Sequence, residues 1–367
     1  MSDEPPLLLE ILSRLPVKTL LRCRSVSKVW RELIDSPDLV KVHLNQSKGT
    51  YKVLTFLRCC NSIISSHSLS LNSRPTFVKV EPPFNLTGFL PRDLGSCNGL
   101  LCLSWGKFNQ ELSLWNPSTK KHKLIPTMPI HYPPHTQNNR IVDTLGYDNA
   151  NDDYKVVRLL QFSGASERDS YDYKVIVYSL KLNVWQNVEQ DFPYYLHRDC
   201  CYAPVSHSVC VGGAIHWSVI RKDDLDLNHV IVVFDLASQR FRLVPQPDHT
   251  PKHTSIDVGT LGGCLCVIGS SVPERESVDI WVMKKYGVKE SWEKLLGLSE
   301  IGMLPCVRPL VSLKNGKEVL LEVDHEWFLL YDLEKNKVNE TAFHRPSIGN
   351  PLRLYNLSSY IYQESLV

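Results

Sequence analysis

Leu112-Ser113-Leu114-Trp115-Asn116-Pro117 reads as a short apolar strand that ends in an aromatic residue and then turns. The pattern recurs as Val175-Ile176-Val177-Tyr178-Ser179-Leu180, Val232-Val233-Phe234-Asp235-Leu236 and Leu329-Leu330-Tyr331-Asp332-Leu333. Val278-Asp279-Ile280-Trp281-Val282-Met283 is a variant of it. The aromatics Trp115, Tyr178, Phe234, Trp281 and Tyr331 stand 63, 56, 47 and 50 residues apart. In two units a second aromatic, Trp185 or Phe241, follows seven residues on. Asn, Ser or Asp after the aromatic suits a hairpin turn, because these side chains bond nearby backbone. Glycines mark strand starts upstream, at Gly95 and Gly99, Gly212-Gly213 and Gly262-Gly263. A repeat of roughly 45–50 residues holding a few strands predicts a β-propeller of about six blades. An irregular array of β-sandwiches is the alternative.

Outward from these units, the pattern changes character once, near residue 47. Residues 47–367 read as one large all-β domain, and residues 1–46 as a small all-α module. Leu8, Ile11, Leu12 and Leu15 make an i, i+3, i+4, i+7 stripe. Pro16 ends that helix and can open the next, whose stripe is Val17, Leu20 and Leu21. Ser27 is a candidate N-cap for a third helix with Val26, Val29, Trp30, Leu33 and Ile34 as its face. Ser36-Pro37 reads as a cap followed by Pro at the first helical position. Such short helices are marginal alone, since few bonds repay a costly nucleus. A module this small buries little area, so it should expose apolar surface for a partner.

Composition is that of an ordinary soluble protein, at 43% hydrophobic and 22% charged over 367 residues. A net charge of +2 creates no field that would favour nucleic acid or a membrane surface. The start, Met1-Ser2-Asp3-Glu4-Pro5-Pro6, lacks the basic and apolar parts of a secretory signal. No run reaches the roughly 20 apolar residues of a spanning helix. The expected location is cytoplasmic, nuclear or both. Eleven cysteines, several inside apolar runs such as Leu101-Cys102-Leu103, fit reduced thiols used as small core side chains.

No cofactor is expected and no catalytic constellation stands out. G-x-S-x-G, P-loop and dinucleotide fingerprints are missing from the sequence. Asp152-Asp153 and Asp223-Asp224 sit in polar, turn-like runs and read as solvated loops. His197, Cys200, His207 and Cys210 could in principle surround zinc, but the His-Cys, His-Cys order is not a common zinc pattern. No metal is therefore expected. His216, in an apolar strand, reads as structural. Residues 1–46 hold seven Lys/Arg and six acids, a net of +1, too little to define a charged face.

The run Ile11-Leu12-Ser13-Arg14-Leu15-Pro16-Val17-Lys18-Thr19-Leu20-Leu21-Arg22-Cys23-Arg24-Ser25-Val26-Ser27-Lys28-Val29-Trp30-Arg31-Glu32-Leu33-Ile34 closely resembles the F-box. The remainder resembles the F-box-associated domain of plant F-box proteins. The pieces that carry this are Gly95-Ser96-Cys97-Asn98-Gly99-Leu100-Leu101-Cys102, Trp115-Asn116-Pro117-Ser118-Thr119, Asp152-Asp153-Tyr154-Lys155-Val156-Val157, Gly212-Gly213-Ala214-Ile215-His216-Trp217 and Tyr362-Gln363-Glu364-Ser365-Leu366-Val367. The subgroup it looks most like includes immune-receptor regulators and S-locus F-box proteins.

The resemblance implies a non-enzymatic adaptor. Its F-box would dock on the Skp-type linker of a cullin–RING ubiquitin ligase, and its second domain would select an unidentified target protein for ubiquitination. It also implies a linker-facing set of Leu8, Leu12, Leu15, Pro16, Leu20, Leu21, Val26, Lys28 and Trp30. The lead from Pro6 to Glu10 is one residue shorter than the family pattern. That shortening leaves room for an alternative, a non-degradative binding adaptor with weakened linker docking. The polar runs 131–144, 163–172, 221–229 and 246–256 are the candidate target-contacting loops.

Overall fold

A computed structural model describes residues 7–47, 51–59, 62–70, 76–82, 92–105, 111–136, 139–164, 172–196, 208–222, 228–248, 254–271, 277–299, 306–323, 327–344 and 355–367. Four helices come first: α1 (Leu7–Ser13), α2 (Val17–Cys23), α3 (Lys28–Ile34) and α4 (Pro37–Gln46). The expected caps are in place. Ser27 Oγ accepts from the Trp30 amide at 3.2 Å, and Ser36 Oγ accepts from the Leu39 amide at 3.3 Å, with Pro37 opening α4. None of these helices is long and apolar enough to cross a membrane.

Strands follow from Tyr51 onward and form six antiparallel sheets among the described residues. Their innermost strands are Tyr355–Gln363, Arg92–Cys97, Arg140–Asp148, Ser208–Val211, Thr254–Leu261 and Val307–Leu313. Each of these packs beside the next and the last beside the first, so the six sheets close into a ring of blades. The propeller reading of the repeat therefore holds. Closure is made by sequence ends: Tyr355–Gln363 pairs along its full length with Tyr51–Cys59, joining late residues to the first blade. This removes the free sheet edge that an open ring would leave. Residues from all six inner strands line a narrow central channel of about 120 Å³.

The repeating aromatic unit is the outer hairpin of a blade. Asn116 Oδ1 accepts from the Ser118 and Thr119 amides, Asp235 Oδ1 from Ser238, and Asp332 Oδ1 from Glu334 and Lys335. Ser179 Oγ does the same for the Leu182 amide at 3.0 Å. Five residues after Trp115, Tyr178, Phe234 and Tyr331, the residues Lys120, Asn183, Gln239 and Asn336 take left-handed backbone (φ between 52° and 62°). The seven-residue spacing then places the second aromatic across the hairpin: Tyr178 faces Trp185 and Phe234 faces Phe241, with ring centroids 5.3 and 5.0 Å apart. The glycine pairs serve the inner hairpins. Asn98-Gly99, Gly212-Gly213 and Gly262-Gly263 are all left-handed at both positions, the turn that matches strand twist.

Candidate docking surfaces

The module's interior is small. Leu9, Leu12, Val17, Leu20, Ile34 and Leu39 are buried together, and a seventh member is Leu366, from the far end of the sequence. Leu15, Leu21, Trp30 and Leu33 are half-buried against this core. Arg24 and Asp35 tie the ends of α2 and α3 through two short contacts, Nε to Oδ1 at 2.8 Å and Nη2 to Oδ2 at 2.7 Å. The Arg24 guanidinium holds the Asp35 carboxyl below the usual carboxylate range. His43 is buried beside the Leu15 carbonyl at 3.0 Å, and burial pushes its pKa down.

Outside this core the module is apolar. Leu7, Leu8, Ile11, Val26 and Val29 are 73, 44, 51, 70 and 72% exposed. They are five of the eleven exposed large hydrophobic residues described, although the module is a small part of the chain. Single exposed apolar residues mean little, but this concentration in two short segments marks a surface made to be covered.

Of the residues expected to face a linker, Leu8, Pro16, Val26 and Lys28 are exposed. Leu15, Leu21 and Trp30 each present one side outward and one to the core. Leu12 and Leu20, 1% and 0% exposed, lie inside and shape the surface without forming it. Leu7, Ile11 and Val29 are also exposed apolar residues of the module and were not in the expected set. Val29 lay in the sequence on the same stripe as Ile34, which is buried.

The module sits on one face of the propeller, over the inner hairpins. Residues 363–367 form the seam. Gln363 Nε2 donates to the Leu44 carbonyl at 2.8 Å and to Ser47 Oγ at 2.7 Å. Asn116 Nδ2, on the second blade, donates to the Ser365 carbonyl at 3.1 Å and the Val367 carbonyl at 2.8 Å. Lys41 pairs with Asp152 at 2.9 Å, and Lys52 with Glu364 at 2.5 Å. Asp152 thus joins a seam contact, while Asp153 accepts from Ser179 Oγ and the Lys181 amide. Asp153 is buried, unlike the solvated loop residue expected from the sequence, because these two donors hold it inside the turn. Asp223 and Asp224 lie outside the described residues.

The strands Asp153–Phe162 and Asp172–Ser179 are antiparallel, so Phe162 and Asp172 stand at the end away from the module. The central residues of 163–172, 221–229 and 246–256 lie outside the described residues. So do His197, Cys200 and His207; Cys210 is described, on an inner strand. Among the described residues, no group of three metal-ligating side chains clusters. His216 is fully buried, with Nε2 2.8 Å from the Tyr286 hydroxyl, and burial pushes its pKa to about 4.

A four-helix module with an outward apolar surface, locked onto a closed ring of blades, is the architecture of a binding adaptor. The chain belongs to the F-box proteins with an F-box associated beta propeller domain: the F-box domain model matches residues 4–41 and the propeller model residues 55–367. It is 34% identical over 346 residues to "F-box protein CPR1" of Arabidopsis thaliana, covering 90% of this chain and 82% of that protein. Two other Arabidopsis thaliana proteins, "F-box protein At4g22390" and "F-box/kelch-repeat protein At3g23880", are each 30% identical, covering 90% and 85% of this chain and 83% of each relative.

Proposed function

We propose that this protein is a substrate-recognition subunit of a cullin–RING ubiquitin ligase. Its F-box module seats the Skp-type linker, and its propeller selects the target. The observation that carries this reading is the outward apolar surface of Leu7, Leu8, Ile11, Val26 and Val29 on a module too small to need so many apolar side chains. Exposed apolar side chains with half-buried Trp30 among them have the composition of a stable interface core. Lys28 would supply a polar rim. Catalysis would rest with other subunits, so the chain's work is geometric: it holds the target at a fixed distance from the linker. The module's attachment through residues 363–367 supports that rigidity. The target would meet loops at the face opposite the module.

The test is a pull-down of the full chain with a Skp-type linker. Wild type should be retained, and Val26→Glu with Val29→Glu should lose retention while keeping the wild-type circular dichroism spectrum. Equal retention of both proteins, or of neither, would remove linker docking from this surface. Affinity proteomics on the full chain carrying those two substitutions would then enrich targets that are no longer degraded.

A further inference from the structure

A cleft of about 1110 Å³ lies between the module and the propeller. One wall is α4, through Val40, Leu44 and Asn45. The other is the module-facing end of the propeller, where the left-handed turns Gly212-Gly213 and Gly262-Gly263 project. A Cβ at Gly212, Gly262 or Gly263 would meet nothing within 4 Å, so bare backbone borders open space there. Glycine at such positions lets another chain approach the backbone closely. The cleft exceeds the roughly 300–1,000 Å³ of small-molecule pockets, and its size suits a stretch of polypeptide.

Its chemistry is uniform. Half-buried Tyr51, Tyr147 and Tyr154 line it, with Asn45, Asn98 and Asn149 among them. The only acidic or basic side chains in the lining are Lys41 and Asp152, and they pair with each other at 2.9 Å. The Tyr147 and Tyr154 rings stand 4.8 Å apart. Both are held in advance: the Tyr147 hydroxyl donates to Asp152, and Asn98 Nδ2 donates to the Tyr154 hydroxyl at 3.2 Å. Anchors already fixed lose little freedom when a ligand arrives. Tyrosine supplies broad contact at small entropic cost, while Asn and Gly supply adaptable hydrogen bonding, the mixture found in antibody combining sites.

We propose that this cleft receives an extended, uncharged segment of a target protein, carrying an aromatic or aliphatic side chain for the tyrosine wall. The proposal rests on the propeller's role in target selection, and adds a contact on the module side to those at the opposite face. The segment's backbone lies against the two glycine turns, and its side chain meets Tyr147 and Tyr154. A charged side chain is disfavoured, because Lys41 and Asp152 already satisfy each other and a buried charge without a partner is costly.

A phage-displayed library of random linear peptides, panned on the full chain, tests this. The expected outcome is a shared motif of aromatic or aliphatic residues without Asp, Glu, Lys or Arg. A synthetic peptide of that motif, measured by fluorescence anisotropy, should bind wild type. Asn149→Trp and Asn45→Trp put bulk into the cleft from its two walls, at exposed positions. Each should weaken the peptide roughly tenfold while keeping the wild-type circular dichroism spectrum. Val26→Glu with Val29→Glu should leave peptide binding unchanged, so failure of linker docking and failure of this site read out separately. No shared motif, a motif built on charged residues, or equal affinity for wild type and both Trp variants would overturn the assignment.

Discussion

The propeller and the helical module solve the problem of stability in opposite ways. In the propeller every blade presents apolar strands to its neighbours, and ring closure leaves no strand edge at the joint. It can even bury ions: Arg158 and Asp143 pair at 2.7 Å with 0 and 1% side-chain exposure. The module has three helices of seven residues and one of ten. It buries six of its own large apolar residues, takes a seventh from residue 366, and turns five outward. A unit built to be covered spends apolar side chains on its partner, and borrows core from the unit it rides on.

The largest effect should come from breaking the propeller's buried pair. Asp143→Ala leaves the Arg158 guanidinium buried against a vanished carboxylate, at a cost of about 3–5 kcal/mol. Thermal unfolding should show the β transition shifted down with the helical signal following it, because the module's small core is completed by Leu366 from the propeller side. If the helices outlast the strands, the dependence runs the other way.

A pH series gives the next largest effect, about 3 kcal/mol at pH 4 from His216. Its folded pKa is pushed to about 4 by burial, below the usual value of 6.5. Between those values the unfolded chain binds more protons, so stability falls as pH drops from about 6.5 to about 4. His43, also lowered by burial, acts in the same direction within the module. Denaturant midpoints across this window should slope for wild type and flatten for His216→Gln. An unchanged slope in the variant would assign the pH dependence elsewhere.

Leu366→Ala removes the borrowed core residue, for about 2–3 kcal/mol. Here the two regions should separate. Hydrogen exchange ought to accelerate in α1–α4 while the propeller's inner strands keep their protection. Uniform acceleration would mean that the seam stabilises both parts equally.

These dependencies differ in how far the sequence discloses them. The outer hairpins are legible because their cause is local. Trp115-Asn116 and Tyr331-Asp332 carry the aromatic and the turn-forming side chain as neighbours in sequence, and in the Tyr178 and Phe234 units the second aromatic falls where the turn geometry puts it. The caps at Ser27 and Ser36 are local too. Leu366 is not, since its partners lie over 300 residues earlier and its own neighbours are ordinary seam residues. The outward side of α3 is hidden for another reason. In a seven-residue helix an apolar stripe spans both the core side and the partner side, so Val29 and Ile34 share a pattern while facing different surroundings.

The smallest effect expected lies at the same seam. Lys41 and Asp152 form the ion pair that bridges α4 and the third blade, at 2.9 Å, but the two side chains are 59 and 54% exposed. Solvent screens such a pair, and ordering two long side chains offsets much of the attraction, so Lys41→Ala should cost less than about 0.5 kcal/mol. Asp152 would not be stranded, because the Tyr147 hydroxyl also donates to it. Tyr147 titration reports the same contact, since that hydrogen bond, with burial and the carboxylate's charge, raises the phenol to about 12. Removing Lys41 leaves the phenol hydrogen-bonded, so the tyrosine ultraviolet titration should barely move. A double-mutant cycle of Lys41→Ala with Asp152→Asn measures the pair itself, and its coupling should shrink further in 0.5 M salt. A coupling above 1 kcal/mol would make the exposed charge contact, and not the buried Leu366 side chain with its flanking amide bonds, the main fastening between the two regions.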